Sequence, residues 1–286
     1  MVKEIDLLIC SRIVASTVDM TNLINKRIMS GVTALAFCVA FGPTLAAAEE
    51  EITINSRDGV TVTFVVNEPE GQAKAMAILF TGGSGKLKLW KGNGTKSTNF
   101  LVRTRTLFAE RGVLTLTVDV PSDRRRKGLN NFRGSDEHRA DISAVVRWAR
   151  SKTNAPVWLI GTSRGTVSLG HLSGTLPIDG AVFTASVTEE SGRRPAMALD
   201  GDLEAITAPV LLVHHKADDC KVTPVWGVSK IADRLKKSSK VETILFTGGD
   251  PDRSDSCKAL SKHGFIGIEN KVVDRIVRWM TQTKGP

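Results

Sequence analysis

The sequence predicts an α/β protein with a mostly parallel sheet and helices on both faces. Three features predict it. Short β-branched runs alternate with longer amphipathic stretches. The later runs are continuously apolar, as in strands buried on both faces. No internal repeat or Pro/Ser-rich linker divides residues 49–286, so one domain is expected there.

The strand candidates, in order, are 52–56, 61–67, 75–81, 113–120, 156–161, 180–185, 209–214 and 242–247. The first two flank Asp58-Gly59, a turn signal that pairs them as an antiparallel hairpin. Helical spacing is expected near 97–111, 136–151, 164–172, 224–237 and 266–282. The last is the clearest, with Ile268, Val272, Val273, Ile276, Val277 and Met280 at helical intervals.

The first 48 residues read as a leader. Lys26 and Arg27 precede an uncharged apolar run over 32–48, broken at Gly42-Pro43 and ending in Ala46-Ala47-Ala48. That pattern is a secretory signal peptide with cleavage expected after Ala48. The run is short for a membrane span, which needs about 20 apolar residues, so no stable membrane insertion is expected after cleavage. Residues 1–19 are too long and mixed for an n-region, and Met20 makes a better start. An exported protein, periplasmic or secreted, follows. Cys10 and Cys38 fall in the leader, which leaves Cys220 and Cys257 as the one possible intrachain disulfide.

Hydrophobic residues at 41% and charged residues at 24% exclude a disordered chain, a coiled coil and a polytopic membrane protein. The net charge is +9. The basic residues are scattered apart from Arg124-Arg125-Arg126-Lys127, and no nucleic-acid-binding motif accompanies that run, so no nucleic-acid partner is expected.

In open α/β sheets, sites collect at the carboxyl ends of the strands. After 156–161 comes Gly161-Thr162-Ser163-Arg164-Gly165, a G-x-S-x-G pattern between an apolar strand and a helix. Such a sharp turn projects a serine hydroxyl above the sheet at a helix amino end, where developing negative charge is favoured. An activated serine needs a base and an orienting acid. Asp218 follows strand 209–214 and is the acid candidate; Asp219 is its rival, and Glu189 or Glu190 a third option. His263, in the loop after the last strand, is the one histidine that follows Asp218, and Gly264 should free that loop. Two backbone amides should serve the oxyanion: that of Arg164 and one from Thr81-Gly82-Gly83-Ser84-Gly85, with Gly83 preferred and Gly82 next. Phe80 and Leu87 break a phosphate-binding P-loop reading of that stretch. His138 is expected at the surface, and His171 stands too far along its helix to serve Ser163. His214, His215 and Asp218 lack zinc-ligand spacing, so no metal is expected.

TGGSG at 81–85, GTSRG at 161–165, HHKADD at 214–219 and KHGF at 262–265 together resemble the α/β-hydrolase superfamily over about residues 52–283. The resemblance implies an eight-stranded sheet whose second strand is antiparallel. It also implies a Ser163–His263–Asp218 triad with the Arg164 and Gly83 amides at the oxyanion. The chain looks most like compact exported bacterial members with little or no lid, since only about twenty residues separate Ser186 from Ala208. Two departures stand out: Thr81 where many esterases carry histidine, and the bulky Arg164 beside the serine.

The activity expected is hydrolysis of short or medium acyl esters through an acyl-enzyme, without cofactor, on a small-molecule or polymeric ester. The alternatives are an exported peptidase, an acyltransferase, or a non-catalytic binding module of the same fold. Basic residues of 84–98 (Lys86, Lys88, Lys91, Lys96) and of 124–133 follow strand ends, and read first as surface charge. A bridge between Cys220 and Cys257 would tie the acid loop to the base loop.

Overall fold

Eight strands form one sheet in the order β1-β2-β4-β3-β5-β6-β7-β8. They are β1 Glu49–Arg57, β2 Val60–Asn67, β3 Ala75–Phe80, β4 Val113–Val118, β5 Val157–Thr162, β6 Gly180–Thr184, β7 Val210–His215 and β8 Val241–Phe246. This computed structural model describes residues 49–92, 96–192 and 195–283. They belong to one compact unit. The leader, its cleavage point and Cys10 and Cys38 lie outside the described residues.

β2 runs antiparallel to both β1 and β4, and every other pairing is parallel. Gly59 takes φ +63° in the β1–β2 turn, the left-handed conformation that Asp-Gly signals. All eight strands fall within three residues of the apolar runs; β3 to β7 are buried throughout, and such a continuous run has no competing helical period.

Five helices cover the sheet among the described residues: α1 Phe100–Ala109, α2 Asp136–Lys152, α3 Gly165–Leu172, α4 Gly227–Ala232 and α5 Glu269–Gln282. Alternate residues of the central strands serve opposite faces. Met76, Ile78 and Phe80 of β3 pack with Ile142 and Val145 of α2, Leu169 of α3 and Ile231 of α4. Ala75, Ala77 and Leu79 pack with Phe100 and Phe108 of α1 and Val273 and Ile276 of α5. Asn99 and Ser135 cap α1 and α2, accepting from the amides of Leu101 and His138.

The helix expected over 224–237 is reduced to Gly227–Ala232. Beyond it the chain makes i→i−3 turns at Arg234 and Leu235. Arg234 is drawn away there, with Nη2 donating to Glu204 at 2.6 Å and to the Gly201 carbonyl at 3.1 Å. The stretch that follows, Lys236-Lys237-Ser238-Ser239, offers no apolar face to continue the helix. Two three-residue 3₁₀ turns, at Ala198–Asp200 and Leu203–Ala205, are the helical content of 186–208 among its described residues. No helix among the described residues is long and apolar enough to cross a membrane.

Candidate active site

Ser163 ends the turn between β5 and α3 with φ +52°, a left-handed conformation that a serine adopts only at a cost. Its amide donates to the Thr184 carbonyl at 3.0 Å, and its carbonyl accepts from the Thr166 amide at 2.9 Å and the Thr166 hydroxyl at 2.7 Å. The flanking glycine is required by space: a Cβ on Gly165 would stand 2.1 Å from the Phe80 carbonyl oxygen. The bonds that hold the turn and the absent side chain at Gly165 force Ser163 into the strained conformation.

Asp218, beyond β7, is buried and accepts from four groups. Oδ1 takes the Cys220 amide at 3.0 Å. Oδ2 takes the Thr223 hydroxyl at 3.0 Å and His263 Nδ1 at 2.9 Å, and lies 3.3 Å from His214 Nε2. Burial alone would raise this carboxyl. The bonds from His214, His263 and the Cys220 amide outweigh it and hold Asp218 well below the usual carboxylate range. Of its rivals, Asp219 is exposed and Glu189 pairs with Lys230 at 2.9 Å. His214 Nε2 also donates to the Thr223 carbonyl at 2.9 Å, so this buried histidine clasps the acid and its threonine neighbour together.

His263 sits in a 3₁₀ turn, Lys262–Gly264, with Nδ1 bonded to Asp218 and 3.1 Å from the Thr223 hydroxyl. Its Nε2 makes no hydrogen bond among the described residues. Gly264 acts otherwise than expected. Its φ is not left-handed; it is needed because a Cβ there would meet the Ala259 carbonyl at 1.9 Å. Phe265 takes the left-handed conformation instead, at φ +60°. Arg103 fixes this turn from α1, donating to the Gly264 carbonyl and pairing with Glu269 at 2.9 Å.

Ser163 and His263 line one open cavity of about 750 Å³, together with Thr81–Leu87, Arg164 and both cysteines of the Cys220–Cys257 disulfide. Gly82 abuts the serine closely: a Cβ there would lie 3.0 Å from Ser163 Cβ. Neither the Gly82 nor the Gly83 amide donates a hydrogen bond among the described residues. Arg164 begins α3 and is buried, with Nη2 donating to the Ala196 carbonyl at 3.3 Å.

Three supports of the site were not expected. Thr223 bridges Asp218 and His263. Asp119, at the carboxyl end of β4, accepts from the amides of Leu87, Leu89 and Val120 at 2.8–2.9 Å and anchors the lysine-bearing loop. Burial raises its carboxyl, with these amide bonds opposing. Arg133, grouped by sequence with surface charge, is buried: it donates to Ser168 Oγ at 2.9 Å and to the carbonyls of Thr81 at 3.0 Å and Gly83 at 3.4 Å. Burial, with the Arg164 charge, lowers it to about 9, so it stays charged at pH 7.

His138 is also not at the surface. It is buried against Phe132 and Phe80, with Nε2 3.0 Å from Ser168 Oγ. Burial, then the Arg133 charge, lowers it to about 3, and it is neutral at pH 7. Asp218, Cys220 and His263 place donor atoms within 4.8 Å of one another. The sulfur is spent in the disulfide and Nδ1 on Asp218, so these donors do not suit a metal ion.

No family model and no curated protein matches the chain. Solved structures do. An α/β serine hydrolase homologue from Coxiella burnetii aligns at 18% identity and TM-score 0.56, over 80% of this chain and 96% of that one. An esterase of Pyrococcus furiosus aligns at 14% and 0.59, over 84% and 92%. A Xanthomonas campestris protein, described as an α/β serine hydrolase without a lid, aligns at 15% and 0.57, over 85% and 100%. The chain has the α/β-hydrolase fold, with its sheet order and antiparallel second strand.

Proposed function

We propose that the protein is a serine hydrolase that cleaves carboxylic esters with short or medium acyl chains, through an acyl-enzyme on Ser163. One observation carries the reading: His263 Nδ1 bonds Asp218 Oδ2 at 2.9 Å while His263 and the strained Ser163 line the same cavity. Asp218, kept ionised, holds Nδ1 protonated and leaves Nε2 as the base.

In this reading Nε2 takes the Ser163 proton as Oγ attacks the ester carbonyl. The oxyanion is met by the amides of Arg164 and Gly83, with Gly82 beside them. Nε2 then passes its proton to the leaving alkoxide, and the acyl group stays on Oγ. Water enters, loses a proton to Nε2 as it attacks the acyl carbon, and the acid leaves as the acyl–Oγ bond breaks and Nε2 returns the proton to Oγ, which restores Ser163. The cavity is open, and the described residues of 186–208 form only two short 3₁₀ turns, which supports esters over lid-gated lipid substrates. The Cys220–Cys257 disulfide supports an exported protein.

The test is fluorophosphonate labelling of the purified protein with peptide mapping and a Ser163→Ala control. One adduct on Ser163, absent from the control, is expected. A panel of esters, amides and alcohol acceptors then separates esterase from peptidase and acyltransferase. No adduct on the folded, oxidised protein sinks the reading and leaves a binding module.

A further inference from the structure

We infer that the cavity selects esters that carry an anionic group near the scissile bond, an inference that rests on the serine-hydrolase reading. The charged side chains on its described lining are Lys86, Arg164 and Lys258, and none is acidic. They surround the reacting centre. Lys86 follows the Thr81–Gly85 loop, Arg164 follows the nucleophile, and Lys258 stands five residues before the base.

Neither lysine is paired with a carboxylate among the described residues. Lys86 Nζ donates only to the Arg126 carbonyl, at 3.3 Å, and Lys258 has no carboxylate partner among the described residues. The nearby acids are turned to other work. Asp119 is spent on the amides of its own loop. Asp252 accepts from the Lys262 amide at 3.0 Å, and Asp250 lies 3.7 Å from Arg253. Asp255 lies off the lining. The Lys86–Arg126 contact also places the 124–127 basic run beside Lys86.

The rest of the wall agrees. Ser84, Ser97, Thr98, Asn99, Ser191 and Ser254 line the same space, beside apolar residues. Such a mixed wall can meet a charged group with its polar part while a short acyl chain is buried against Phe100, Val222 and Leu260. Lys86, read from sequence as surface charge, therefore acts with Lys258 and Arg164 as a recognition element for a carboxylate-type group.

Two matched ester pairs test this at low and high salt. On the acyl side, 4-nitrophenyl hexanoate is compared with mono-(4-nitrophenyl) adipate, of equal chain length, with spontaneous hydrolysis subtracted. On the alcohol side, phenyl acetate is compared with 3-carboxyphenyl acetate. In at least one pair the anionic ester should have about tenfold higher kcat/KM at low salt, and the preference should shrink as salt screens it. Replacing Lys86 and Lys258 together by alanine should bring that ratio towards one. If both pairs are hydrolysed with no anionic preference, this inference falls and the hydrolase reading stands. If no ester is turned over and Ser163 takes no adduct, both fall.

Discussion

Arg133 Nη2 donates to the carbonyl of Thr81 at 3.0 Å, from beneath the loop that faces the nucleophile. In a trans peptide the carbonyl and the next N–H point in opposite directions. A Thr81 carbonyl turned down to Arg133 therefore turns the Gly82 N–H up and away from it. The second contact, to the Gly83 carbonyl at 3.4 Å, holds the peptide that carries the Ser84 N–H, and the Gly82 carbonyl, which shares its peptide with the Gly83 N–H, accepts from the Gly85 amide at 3.1 Å. Arg133 thus acts as a positioning residue for the Gly82 amide and, by clamping the loop on both sides of it, for the Gly83 peptide, without touching substrate.

Replacing Arg133 by methionine should lower kcat by roughly 10–100-fold with KM little changed, because misaimed donors are felt mainly in the transition state. Lysine should not restore kcat, since an ammonium cannot span Ser168 and two carbonyls as the planar guanidinium does. Steady-state kinetics normalised to fluorophosphonate-labelled sites separates this from simple loss of folded protein. If kcat per labelled site falls by less than about threefold, Arg133 is only a packing residue.

Ser163 at φ +52° makes a prediction about stability rather than rate. Glycine and alanine both remove the hydroxyl, but only glycine is at ease in the left-handed region. Ser163→Gly should be more stable than Ser163→Ala by about 1 kcal/mol. Urea denaturation of the two variants measures the difference directly. Equal midpoints would mean that the turn is not strained at this residue.

The strands and the three central site residues were legible in the sequence for identifiable reasons. Continuous apolar runs mark buried parallel strands whatever the surroundings. Ser163 is flanked by glycines that form a recognisable strand–turn–helix pattern, although Gly165 is required by the distant Phe80 carbonyl, and Asp218 and His263 are placed by strand ends and chain order. The supports are different. Thr223 stands just before Pro224 and looks like any turn threonine; only the fold brings its hydroxyl to Asp218 and His263. Arg133 lies in a basic stretch that reads as solvated, and its burial comes from α3 and the 81–85 loop packing over it. Asp119 left one trace, a carboxylate at the end of an apolar run. Gly264 was noticed for the wrong property, since close approach to Ala259 and not backbone freedom requires it.

His138 should shape the acid limb of stability. Its folded pKa of about 3 lies below the 6.5 of an exposed histidine. Between these values the unfolded chain binds a proton that the native state refuses, so stability falls as pH drops from about 6.5 towards 3. One such group contributes a slope of up to about 1.4 kcal/mol per pH unit. His138→Gln removes the titration while keeping an amide near Ser168. Its unfolding free energy, measured by urea between pH 7 and pH 4, should fall less steeply than that of the parent. Parallel curves would show that His138 is protonated in the native state or matters little to it.

The disulfide joins the two halves of the proposed acid–base pair. The Cys220 amide is itself a hydrogen-bond donor to Asp218, and Cys257 lies six residues before His263 on the loop that carries the base. The bridge closes a separation of 37 residues, for which chain entropy gives about 3–4 kcal/mol of stabilisation. Its position adds a second effect, because a displaced Cys220 amide would loosen Asp218 and with it His263 Nδ1. Reduction, or joint replacement of Cys220 and Cys257 by serine, should lower the melting temperature. It should also lower kcat at temperatures where the protein remains folded. Thiol titration, melting and kinetics on the same samples make the comparison. Agreement between the reduced parent and the serine variant excludes side effects of the reductant. Complete thiol release with unchanged melting and unchanged kcat would show that Asp218 and His263 hold their geometry through Thr223 and His214 alone.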